Sequence, residues 1–161
     1  MKNNKILIIA AHPDDEILGC GGTISKLNKD NKINFIFMTN GVSSRGDNKK
    51  KIKKRKNACE RLFKKMLFSK PFFFDFPDNS MDKIPLLKII KALERKIKYY
   101  KPDTIFTHFS NCLNIDHRIT FEAVITACRP INNLSVKKIL SFEVPSSTDW
   151  ALFKGKNFQP N

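Results

Sequence analysis

The sequence lacks any apolar run approaching the ~18 residues that a membrane-spanning helix needs. The apolar stretch near its start ends at Ala11, too short for a signal peptide, and no small-residue cleavage site follows it. A cytosolic protein is the expectation. A C-x-x-C pair is also missing. The four cysteines, at 20, 59, 112 and 128, are scattered, so reduced thiols are expected in place of a disulfide framework or a thiolate zinc site. Glycines 19, 21 and 22 form neither G-x-G-x-x-G nor a P-loop; they read as letting a helix pack closely on a sheet. There is no internal repeat and no low-complexity linker, and 161 residues suit a single domain, 1–161, with one core. Histidine is scarce, with three in the chain, at 12, 108 and 117.

Acidic residues are outnumbered, 15 Asp+Glu against 30 Lys+Arg, for a net charge of +15. Such a chain attracts polyanions, and Lys49 to Lys56 reads K-K-K-I-K-K-R-K. Lysine, asparagine, isoleucine and phenylalanine are abundant throughout, however. The bias is therefore compositional, and the run reads as a solvated helix face. No zinc finger, aromatic RNA-binding motif or recognition-helix pattern accompanies it. A basic nucleic-acid-binding protein is the weaker alternative, and nothing in the sequence requires or forbids a homo-oligomer.

What is present alternates. Lys5 to Ala11 is a continuous apolar run, as in a strand buried on both faces. The acidic residues from Asp14 suit a helix start, and helical spacing continues to Leu27. Ile33 to Thr39 is a second strand closed by Asn40-Gly41. A polar loop to Lys51 and a basic helix over 52–66 follow, then a short strand within 71–76 and a loop over 78–85. An amphipathic helix over 86–99 leads to a strand over 104–108, a helix over 117–128 and a fifth strand over 136–142. Alternating strands and helices imply an α/β fold with a mainly parallel sheet. Ligands bind such sheets beyond the carboxyl ends of the strands, where His12 to Asp15, Asn40 to Arg45 and His108 to His117 all fall.

Two clusters carry chemistry. In Ala11-His12-Pro13-Asp14-Asp15-Glu16, a histidine and a carboxylate three residues apart can face one way, and both are good zinc ligands. Asp14, between them, can point to another side, and Pro13 stiffens the turn. In Asn114-Ile115-Asp116-His117-Arg118, His117 offers a third ligand and Asp116 a carboxylate to support one. Three protein ligands plus water is the pattern of a catalytic zinc site. Each cluster taken alone also fits a capped helix.

Together, A-H-P-D-D-E-I-L-G-C-G-G-T and N-I-D-H-R resemble the LmbE-like, or PIG-L-like, deacetylases, zinc enzymes acting on N-acetylglucosamine-type groups. The resemblance continues through T-N-G-V-S-S-R at 39–45, F-P-D-N-S-M-D at 76–82, K-P-D-T-I-F-T-H at 101–108 and T-A-C-R-P at 126–130. It implies a Rossmann-like three-layer α/β sandwich, with His12, Asp15 and His117 as ligands to one Zn2+ or another divalent ion. Asp14 would be the general base and an amino sugar the small-molecule substrate. Many family members have histidine where this chain has Asn114. An amide can donate a hydrogen bond but not a proton at neutral pH, so Asn114 is expected to give a catalytic hydrogen bond to the oxyanion or substrate, and Asp14 to serve as acid as well as base. Asp116 would support the site, and Arg45, Arg55 and His108 are candidate substrate contacts. Family members continue with a further helical region, so a C-terminally truncated chain is expected, with a catalytically degenerate metal-binding fragment as the alternative. Trp150 reads as a packing residue.

Overall fold

The apolar run near the start of the chain becomes the central strand of a sheet. The structure, a computed structural model, describes residues 2–46, 49–130, 135–145, 147–151 and 157–160, apart from the side chain of residue 45. Lys5–Ala10 (β1) lies in parallel between Lys32–Thr39 (β2) and Thr104–His108 (β4). Phe72–Phe76 (β3) adds beyond β2, and Lys138–Phe142 (β5) beyond β4, giving an all-parallel sheet of order β3-β2-β1-β4-β5. The connections carry Asp15–Leu27 (α1), Lys49–Lys65 (α2), Leu86–Tyr100 (α3) and Ile115–Ala127 (α4). Single 3-10 turns at Ser43–Arg45 and Met81–Lys83 occupy stretches that read as loops.

The period-two alternation of strand side chains splits the core in two. Ile6, Ile8, Ala10, Phe35 and Phe37 pack with Cys20 and Ile24 of α1 and Phe63 of α2. Leu7, Ile9, Ile36 and Met38 pack with Ile89, Leu93 and Ile97 of α3 and Val124 of α4. The result is the expected three-layer sandwich. Phe63, the one fully buried residue of α2, stands edge-on to Phe35 at 4.6 Å and so anchors an otherwise solvated basic helix.

Local differences from the expectation have local causes. β1 stops at Ala10 because the N–H of Ala11 turns to the ring of His108 and its carbonyl to Thr39. α4 begins at Ile115 because Asn114 caps it. Gly19 packs α1 against Phe142 and the carbonyl of Glu143, as expected, but Gly22 faces open space. Between the glycines the backbone leaves helical geometry at Cys20 and kinks α1. Trp150 is 67% exposed, because its segment turns Thr148 inward instead. All four cysteines are free thiols. No helix among the described residues is long and apolar enough to cross a membrane.

Candidate active site

The strand order reverses direction at β1, whose successors lie on opposite sides of it. A parallel sheet opens a crevice at such a point, beyond the strand carboxyl ends. The segments after β1, β2, β3 and β4 converge there.

His12, just past β1, and Asp15, first residue of α1, meet His117, in the first turn of α4. His12 Nδ1 lies 3.1 Å from Asp15 Oδ2, His117 Nε2 lies 3.3 Å from that oxygen, and the two nitrogens are 3.3 Å apart. The three residues form a buried group able to hold a cation. Zinc bonds of ~2.0–2.1 Å to nitrogen and oxygen in a tetrahedron require ligand-to-ligand edges of about 3.3–3.4 Å. The triangle therefore has the size of one tetrahedral face, and its donor set suits zinc.

The members of the triangle are held from behind. The N–H of His12 donates to Asp15 Oδ2 at 2.8 Å. His12 Nε2 meets Asp116 Oδ2 at 3.2 Å and Asp78 Oδ1 at 3.3 Å. Asp116, wholly buried, also accepts the N–H groups of Asn79 (2.7 Å) and Met81 (3.1 Å). Burial opposes the charge on His12, but Asp116, Asp15 and Asp78 outweigh it and push its pKa up to about 11. Burial works against ionised Asp15 too, yet the imidazoles of His117 and His12 hold its carboxyl well below the usual range. Asp78, drawn down to about 2 against burial by His12 and Ser44, accepts the N–H and hydroxyl of Ser44 at 3.0 and 2.5 Å.

His108 sits behind the triangle and not at its mouth. It is fully buried, stacked on His117 with ring centroids 3.9 Å apart, and its Nε2 accepts the N–H of Ala11 at 2.8 Å. That bond puts the ring proton on Nδ1. Burial, with His117 nearby, lowers its pKa to about 4, so the ring is neutral at physiological pH.

Asp14 stands at the rim, half-exposed and ion-paired with Arg55. Its φ of 147° is unfavourable for any residue with a side chain. Its N–H donates to Glu16 Oε2 at 3.0 Å, and its carbonyl takes the N–H groups of Ile17 and Leu18, so the conformation is held from three sides. Burial and the charge of Asp15 raise the Asp14 pKa, and Arg55 opposes them. Glu16 is 1% exposed. Burial, then the charges of Asp15 and Asp14, push its carboxyl up to about 8 against the bonds from its own N–H and that of Asp14. Gly41, at φ 68°, lets the loop after β2 approach, since a Cβ there would meet Pro13 Cδ at 3.2 Å.

Asn114 caps α4: its side-chain oxygen accepts the N–H groups of Asp116 (2.9 Å) and His117 (3.4 Å), and its amide donates to Asn79 at 3.0 Å. The candidate contact Arg45 lies outside the described side chains. Sequence reasoning missed Asp78, Glu16 and Cys112. Asp78 follows β3, so the strand-end rule could have found it. Nothing in the sequence ties Cys112 to His117, whose Nδ1 is 3.1 Å from its sulfur.

A family model described as PIG-L, GlcNAc-PI de-N-acetylase, matches residues 7–128. The chain is 29% identical over 164 residues to an uncharacterized deacetylase, YaiS, of Escherichia coli (strain K12), covering 98% of this chain and 82% of that protein. Among solved structures, the N,N'-diacetylchitobiose deacetylase of Pyrococcus horikoshii superposes with a TM-score of 0.70 at 24% identity, over 82% of this chain and 52% of its own. This chain thus spans about half the length of that enzyme. A deacetylase of teicoplanin biosynthesis superposes with a TM-score of 0.77 at 14% identity, over 96% of this chain and 72% of its own. At these identities the superpositions speak for the fold.

Proposed function

The chain belongs to the PIG-L family of GlcNAc-PI de-N-acetylases, and from that premise we propose that it hydrolyses the acetamide of an N-acetylated amino sugar, using a zinc ion held by His12, Asp15 and His117. The observation that carries the reading is the triangle of ligand atoms with edges of 3.1, 3.3 and 3.3 Å. A divalent ion there supplies two things an amide needs: it lowers the pKa of water toward ~7 and polarises the carbonyl.

The protein's own groups do the rest. Asp14, at the rim, takes a proton from the attacking water. Burial and Asp15 raise its pKa, which makes its carboxylate a better base than an exposed one. It then returns the proton to the leaving amine. His108 is not available for that step, because it is buried and its Nε2 is committed to Ala11. Asn114 has its oxygen committed to the helix cap and its amide bonded to Asn79, so positioning α4 is its main service. Arg55 pairs with Asp14 while its buried Nε has no hydrogen-bond partner. The exposed part of its guanidinium, beside Asp14, is where an acceptor on the sugar could meet it.

The test joins metal analysis to an assay of amine release from N-acetylglucosamine compounds. Asp14→Asn should keep zinc and lose about 10²–10⁴ in turnover, the ordinary worth of a general base. The division of roles fails if Asp14→Asn loses zinc as completely as Asp15→Ala. Zinc bound in the wild type without turnover on any N-acetylated sugar would favour the degenerate metal-binding fragment.

A further inference from the structure

His117 shows its two ring nitrogens to different surroundings. Nε2 closes the triangle with His12 and Asp15, and Nδ1 points to the sulfur of Cys112, 3.1 Å away. A cation in the triangle needs the lone pair of Nε2, so the ring proton must reside on Nδ1. Metal-binding histidines ordinarily give that proton to a carboxylate, a carbonyl or water. Here the acceptor is sulfur, a weaker one, and it is only 1% exposed.

The structure supports that weak acceptor with a set of bonds whose donors and acceptors balance. The Cys112 thiol donates to Ser147 Oγ at 3.4 Å, and the Ser147 hydroxyl donates to the carbonyl of Val144 at 3.3 Å. The Thr148 hydroxyl points at the same sulfur from 3.7 Å while accepting the N–H of Val144 at 2.9 Å. The N–H of Leu113 donates to the carbonyl of Ser147 at 2.9 Å, joining the two segments. The sulfur therefore accepts from His117 and Thr148, donates to Ser147, and cannot rotate away without breaking several bonds.

We propose that Cys112 is the positioning residue for His117, fixing its Nδ1–H tautomer and ring angle, and that Val144, Ser147 and Thr148 beyond β5 hold the sulfur in place. The inference rests on His117 being a metal ligand. It makes the cation affinity depend on a segment that contributes no ligand.

The experiment uses the whole chain, with Zn2+ and Co2+ as probes. Zinc affinity is measured by competition with a chromophoric chelator in wild type, Cys112→Ala, Cys112→Ser, Cys112→Asp and Thr148→Val, with His117→Ala and Cys128→Ala as controls. Cys112→Ala should bind zinc about 10–100-fold more weakly, the usual cost of removing such a partner. Cys112→Asp, which restores an acceptor, should recover most of the loss. The Co2+ absorption bands should shift in the Cys112 variants and not in Cys128→Ala. A folded Cys112→Ala with wild-type affinity, or a Cys112→Asp no better than Cys112→Ala, overturns the proposal. If Cys112→Ala does not fold, Cys112→Ser and Thr148→Val carry the same comparison, and unchanged affinity in both overturns it. If the wild type binds no zinc, or His117→Ala binds it as well as wild type, the ligand assignment itself fails. If those two controls behave and Cys112 proves neutral, only the present inference fails.

Discussion

Glu16 offers a test of the site's electrostatics that needs no substrate. Its carboxyl is buried, its pKa stands at about 8 against an ordinary 4.5, and its Oε2 accepts the N–H of the strained Asp14. Because the folded pKa is raised, the stability Glu16 contributes is fully present below pH 4.5 and is lost as pH rises toward 8. Over that span the unfolded chain ionises this group and the folded chain does not. At ~1.4 kcal/mol per pH unit, the loss is on the order of 5 kcal/mol, a large part of the ~5–15 kcal/mol that holds a domain together. Glu16→Gln is the neutral isostere, and its carbonyl can still accept the Asp14 N–H. The two proteins should be nearly equal in stability at pH 4.5, and the variant progressively more stable up to pH 8, with the gap constant above that. Urea denaturation of the chelator-treated proteins across this range measures it. Parallel stability curves, or a variant weaker than wild type at pH 8, would refute the reasoning.

Gly19→Ala should cost ~1–3 kcal/mol or more, since its Cβ would stand 2.6 Å from the carbonyl oxygen of Glu143. Gly22→Ala, facing open space in the same helix, should gain up to ~1 kcal/mol; opposite shifts in thermal midpoint check the pair. Asn114→Ala removes the acceptor for two backbone N–H groups and should cost ~1 kcal/mol in chemical denaturation. Asp116→Ala strands the buried N–H of Met81, removes the acceptor of the Asn79 N–H and leaves the Nε2 of His12 to Asp78 alone. At ~1–3 kcal/mol for each unsatisfied group, it should cost clearly more than Asn114→Ala; equal losses would show that Asp116 carries no such burden.

The layers were legible because the strands are short and apolar and the helices between them carry period 3.6. The candidate ligands were legible because the strand-end rule puts His12, Asp15 and His117 at one edge. What escaped were relations between distant residues. Arg55 reads as a candidate substrate contact within a lysine-rich run, and nothing in that run pairs it with Asp14 as the fold does. Asn114 reads in the sequence as a hydrogen-bond donor to the chemistry, and its role as the cap of α4, where its oxygen accepts the N–H groups of Asp116 and His117, appears only in the fold. Cys112 gave no sign in the sequence, because a lone thiol in a polar loop has no pattern. Trp150 was misread because aromaticity argues for burial only where a surface is there to receive it.

The position of β1 between β2 and β4 also sets a clock. A ribosome adding ~5–20 residues per second makes His117 roughly 5–20 s after Asp15. Through that interval β1 can pair with β2 alone, and one whole edge of its backbone waits for Thr104–His108. The early half of the chain can offer an ion His12 and Asp15 but no third donor from α4. With the proposed ligand set, capture of an ion would therefore belong to the end of folding, once the second half has docked.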